Sequence, residues 1–142
     1  MTVREYMNRP FELTRLIKVR TNQLQGIRNL INGTSVALSG QTHSDSPDPH
    51  RLEGLMAKAV DLETEISKLT EDLVKATGEV TSAIDSINNP SCEEVLNDRY
   101  LSFKDWTTIA RELDYSRDWV FRLHRKGLSL IRFSCEEELN SV

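Results

Sequence analysis

Apolar residues in the middle of the chain recur at alternating spacings of three and four: Leu52, Leu55, Ala59, Leu62, Ile66, Leu69, Leu73, Ala76, Val80, Ala83 and Ile87. This is a heptad seam, and it predicts one helix on the order of 55 Å long at about 1.5 Å per residue. Met56, Val60, Val74 and Ile84 widen the stripe beyond a strict seam, so this helix is expected to pack against more than one neighbour. Asp48 and Pro49 stand where a cap and a first helical residue belong, and Asn88-Asn89-Pro90 ends the pattern.

A second amphipathic segment precedes it. Leu13, Leu16, Ile17, Leu24, Ile27, Leu30 and Ile31 form a stripe on a helix expected from about Pro10 to Ile31, stopped by Asn32-Gly33. Arg20 falls within the stripe and is read as a snorkelling side chain, an acidic partner on the other helix being the alternative. From 33 to 50 the chain is rich in Ser, Gly, Asp and Pro and has little apolar content, so it reads as a flexible connection. Charge supports pairing of the two helices: the segment from 1 to 32 is basic and that from 51 to 87 acidic. An antiparallel hairpin of two such helices leaves apolar surface exposed, which predicts a homo-oligomer, most simply a dimer. Leu55, Leu62, Ile66, Leu69, Leu73 and Val80 are its candidate seam.

After residue 87 the periods shorten. Ser91 to Glu94 reads as a capping box opening a short helix. In SFKDWTTIARELDYSRDWVFRLHRKGL, from Ser102 to Leu128, two more short helices follow. Ser102 is expected to cap the first, with Leu101 and Trp106 as its hydrophobic staple. Ser116 caps the second, with Tyr115 and Val120 as staple and Asp118 facing the positive end of the helix dipole. Trp106, Ile109, Ala110 and Leu113 line the inner side of one helix, and Val120, Leu123, Gly127 and Leu128 that of the other. Asp114 tolerates the left-handed backbone that the tight turn between them requires.

Outward on the last helix stand Arg117, Asp118, Phe121, Arg122 and Arg125, with Lys126 beside them. Arginine neutralises phosphate and reads guanine edges in the major groove, so these residues are candidates for base reading and phosphate contact. Lys104, Arg111 and Ser116 join Lys126 as candidate contacts to backbone phosphates. A merely solvated basic face is the competing reading. Trp119 and Phe121 either stack on DNA or pack against protein. His124 is read as a half-exposed surface residue, pH sensing or phosphate contact being alternatives. Leu130, Ile131 and Phe133 can finish the core, and Glu136 to Glu138 read as a solvated tail, with mimicry of nucleic acid as the other option.

Composition changes little. The chain has 142 residues and a net charge of -4, which fits one domain or two small ones and neither demands nor excludes nucleic acid. No apolar run approaches bilayer length and the N-terminus lacks a signal-peptide core, so the cytoplasm is the expected location. Cys92 and Cys135 lie far apart without ligand-like companions and are expected to be free thiols, with no metal or cofactor. No nucleophile and base arrangement and no Gly-rich phosphate loop suggests an enzyme.

The run VLNDRYLSFKDWTTIARELDYSRDWVFRLHRKGL resembles region 4 of sigma factors. Val95, Leu96, Arg99 and Tyr100 match its leading helix. Ile109, Ala110, Leu113, Ser116, Arg117, Asp118, Val120, Leu123 and Leu128 match the helix-turn-helix behind it. With its long helical front, the chain is similar to a family of small prophage-encoded late transcription regulators, or autolysin-regulator-like proteins, of Gram-positive phages. The resemblance implies regulation of phage late genes through double-stranded DNA. Region-4-like modules also contact RNA polymerase, which leaves a protein-binding adaptor as the alternative, and a helical scaffold as a third class. Two departures stand out: Phe121 replaces a DNA-contacting Arg, and Gly127 replaces the usual Ala, expected to loosen the last helix by about 1 kcal/mol.

The sequence therefore predicts an all-α protein. A helical hairpin for oligomerisation occupies 1–87, with its connection at 33–50; a helix-turn-helix module occupies 88–133, and an acidic tail 134–142.

Overall fold

The computed structural model describes residues 1–40 and 49–131, with side chains described for 1–33 and 49–131. The described chain is all-helical, without strands: α1 is Val3–Met7, α2 Arg9–Gly40, α3 Pro49–Asp85, α4 Pro90–Tyr100, α5 Trp106–Leu113 and α6 Arg117–Leu130. The expected residues 41–48 of the connection, Asp48 as a cap, Phe133, Cys135 and the tail lie outside the described residues.

Two expectations about the first helices are corrected. A separate helix, α1, precedes α2, opened by a capping box between Thr2 and Glu5. And α2 does not stop at Asn32-Gly33 but runs to Gly40. With no proline in this stretch, Asn32 and Gly33 lower helix propensity without removing a backbone donor, which a helix already under way can absorb.

The chain falls into two contact units. The first comprises Met1–Leu13 with the chain from Asp72 onward, of which 72–131 are described. Its core draws on both ends of the sequence: Tyr6 and Met7 from α1, Val80, Ala83, Ile84 and Ile87 from α3 and its end, and Cys92, Val95, Leu96, Ile109, Val120 and Ile131 behind them. Leu130, expected in this core, is instead 46% exposed, while Ile131 is buried. Arg9 ties the N-terminal residues in place, donating to the Tyr6 carbonyl and pairing with Glu79 at 2.6 Å. Phe11 meets Phe103 edge to face at 5.5 Å.

The second unit, Thr14–Glu71, is built from the rest of α2 and α3. Arg20 pairs with Glu65 at 2.6 Å and Arg28 with Glu63 at 2.7 Å, the numbers rising along α2 as they fall along α3. Arg20 thus takes an acidic partner, the alternative to snorkelling. Among its described apolar residues only Leu24 and Ala59 are buried; Leu55, Leu62, Ile66 and Leu69 are half-buried, and Val19, Leu30, Met56 and Val60 are about half exposed.

Candidate nucleic-acid interface

Helix α4 opens two residues earlier than a Ser91 cap would have it. Asn88, in the link after α3, has a positive φ of 53°, Asn89 caps α4 by accepting from the Cys92 N–H at 3.2 Å, and Pro90 is the first helical residue. At the other end the N–H groups of Leu101, Ser102 and Lys104 bond back to the Asn97 and Asp98 carbonyls. This corrects the expected Ser102 cap: the chain there is occupied closing α4. Asp105 caps α5 instead, its Oδ1 accepting from the Thr108 N–H at 2.7 Å, which holds its carboxyl below the usual range.

The link between α5 and α6 is as short as the sequence suggests. Asp114 has φ 57° and ψ 42°, and the Tyr115 N–H reaches back to the Ala110 carbonyl at 2.9 Å, closing α5 in a Schellman pattern. Ser116 then caps α6 by accepting from the Trp119 N–H at 3.2 Å. That bond fixes the direction in which α6 leaves the turn. Val120, Leu123, His124 and Gly127 consequently face the core, and Arg117, Asp118, Arg122, Arg125 and Lys126 face outward.

Phe121 is only half outward. Its ring packs edge-on against Trp106, centroids 5.1 Å apart, and the Arg117 guanidinium lies 5.8 Å from its centroid. Trp119 is 45% exposed. Of the residues expected at backbone phosphates, Arg111 is exposed, and Ser116 is exposed with its hydroxyl committed to the cap. Lys104 pairs with Glu112 at 2.6 Å and with Asp98 at 3.6 Å, the bond to Glu112 raising its pKa. A phosphate would have to compete for it.

His124 corrects the expectation of a half-exposed residue. It is 2% exposed, shares a 2.6 Å hydrogen bond between its Nε2 and the Tyr100 hydroxyl, stacks on the Tyr100 ring and meets Trp106 edge-on. Burial lowers its pKa to about 4, helped by the positive charges of Arg4, Arg99 and Arg125, so it is neutral at pH 7. Burial likewise raises the Tyr100 hydroxyl.

These groups form the floor of a cleft of about 700 Å³ within the first contact unit. Arg4 and Asn8 come from the N-terminal residues, Arg99 and Tyr100 from the end of α4, and Asp118, Arg122 and Arg125 from α6, with Trp106 and Phe121 as apolar walls. Arg99 lies over the Trp106 ring at 4.4 Å and donates to the Lys104 carbonyl. Sequence reasoning brought the α6 residues together but missed Arg4 and Asn8, which no local pattern connects to a segment a hundred residues away.

Compared with protein-family models, curated proteins and solved structures, the chain matches none.

Among the described residues no group of three or more His, Cys, Asp or Glu side chains could hold a metal ion, and no helix is long and apolar enough to cross a membrane. Chemically, this side of the protein offers guanidinium groups, two aromatic faces and a neutral imidazole behind them. It is suited to anions.

Proposed function

We propose that the protein is a DNA-binding transcription regulator whose α5 and α6 form a helix-turn-helix, with α6 entering the major groove and phage late genes as its targets. The observation that carries this reading is the left-handed Asp114 followed at once by the Ser116 cap, which turns Arg117, Arg122 and Arg125 outward together. The resemblance of Val95–Leu128 to sigma region 4 supports the same role. On this reading α2 and α3 are an antiparallel hairpin that joins copies of the chain, as the opposed order of the Arg20–Glu65 and Arg28–Glu63 pairs suggests.

The test is fluorescence anisotropy on a selected duplex and its scrambled control across a salt series. Arg122→Ala is expected to weaken the selected duplex by about 1 to 3 kcal/mol and the scrambled one much less, because a base contact is lost only where the base is present. Arg111→Ala should weaken both alike and flatten the salt dependence by roughly one counterion. Lys104→Ala should do less, its ammonium being shared with Glu112 and Asp98. No duplex binding at about 50 mM salt would favour a second reading, an adaptor that contacts RNA polymerase, for which the exposed Trp119 is the specific support.

A further inference from the structure

The cleft beside α6 gathers four guanidinium groups, Arg4, Arg99, Arg122 and Arg125, against the single carboxylate of Asp118. Like charges brought together from three parts of the chain repel one another, and a phosphate accepting bidentate bonds from arginine forks relieves that repulsion. The volume, about 700 Å³, is that of a small-molecule site rather than of a gap between side chains. Phe121 and Trp106, one face of which Arg99 covers, add aromatic surface to the cleft, and stacking a planar ring on such surface contributes to binding independently of charge. At the floor the Tyr100–His124 pair is buried and neutral, so it adds no negative charge to cancel the arginines.

We propose that this cleft binds a small phosphorylated ligand bearing an aromatic ring, of the mononucleotide class, with its phosphate on Arg4, Arg99 and Arg125 and its ring against Trp106 or Phe121. Resting on the DNA-binding reading above, the ligand also competes with duplex, because Arg122 and Arg125 line the cleft and stand on the outer face of α6 at once. The coupling is reciprocal: each ligand lowers the affinity for the other by the same factor.

The experiment is an NMR titration of the full chain at constant ionic strength with AMP, adenosine and inorganic phosphate, followed at the Trp106 indole, the His124 ring and the arginine Nε–H signals. AMP should saturate, at a concentration on the order of tenfold lower than either part alone. Arg4→Gln and Arg125→Gln should each weaken AMP by on the order of tenfold, whereas Arg51→Gln, on exposed α3 surface, should not change it. Unchanged spectra elsewhere show that each variant is folded; two sites serve because either alone could perturb its helix. Shifts that grow linearly without saturating, or that appear equally at Arg51, overturn the site. Inorganic phosphate binding as tightly as AMP overturns the aromatic half of the proposal. AMP that saturates while duplex binding persists undisturbed overturns the competition. AMP binding in a protein that binds no duplex upholds the site and removes the DNA reading instead.

Discussion

His124 illustrates how a single side chain can carry a measurable property of the fold. It sits at 2% exposure with its pKa lowered to about 4, by burial first and then by Arg4, Arg99 and Arg125. The unfolded chain, with an ordinary value near 6.5, binds more protons than the native state between pH 6.5 and 4, so stability is fully present above the unfolded value and is lost as pH falls through that window. At about 1.4 kcal/mol for each tenfold change in proton affinity the loss attributable to this residue is about 3 kcal/mol. Urea unfolding at pH 7, 5.5 and 4.5 checks it, and His124→Gln, which keeps a partner for Tyr100, should flatten the slope; an equal slope in the variant would reject the assignment. The burial was legible. Val120, Leu123, His124 and Gly127 fall at the spacing of one helical face, and the periodicity alone places the imidazole inward. What hid it was the flanking Arg125 and Lys126, which lend the residue a surface-like neighbourhood in sequence but not in space.

Between elements, the contact of α6 with α4 turns on Gly127. A Cβ there would lie 2.8 Å from Leu96 Cδ1, 3.1 Å from Leu96 Cγ and 3.3 Å from Cys92 Cβ, and both neighbours are fully buried. The expected propensity cost of this glycine is thus set against a second effect that the sequence did not show: the close approach of two helices leaves little room for a Cβ. Gly127→Ala gains about 1 kcal/mol of helix propensity but must displace Leu96, an overpacking cost of about 1 to 3 kcal/mol. A net loss of about 1 kcal/mol in chemical denaturation is the expected result, and a stabilised variant would refute it. The sequence announced the left-handed Asp114 and the Ser116 cap, because each is a local event decided by one side chain and its neighbours. It misplaced the starts of α4 and α5 for a different reason. Ser91 and Ser102 are competent caps, but the Asn89 and Asp105 side chains reached the orphan N–H groups first, and which of two capable residues wins depends on how the previous helix ends.

At the scale of the whole molecule, the heptad pattern foretold α3 but not the change in its surroundings along its length. Ala76, Val80, Ala83 and Ile84 are buried, whereas Leu55, Leu62, Ile66, Leu69 and Leu73 are half-buried and Met56 and Val60 lie open. On the proposal that α2 and α3 join copies of the chain, these thinly covered positions are the ones that would meet. Light scattering at micromolar concentration should report a dimer or larger, and Met56→Asp with Val60→Asp should give a monomer of unchanged helix content; a monomeric parent protein would dismiss the idea. The seam could be read because heptads are local. The participation of residues 1–13 in the C-terminal unit could not, since nothing in a five-residue helix says what lies against it. That participation governs the order in which the fold can be completed. Met7, fully buried, shares a core with Val95, Leu96, Ile109 and Val120, so contacts far apart in sequence must form before that core can close. Until they form, Tyr6 and Met7 of α1 have no shelter within their own short helix, and a chain lacking α6 would expose a patch that chaperones and proteases recognise.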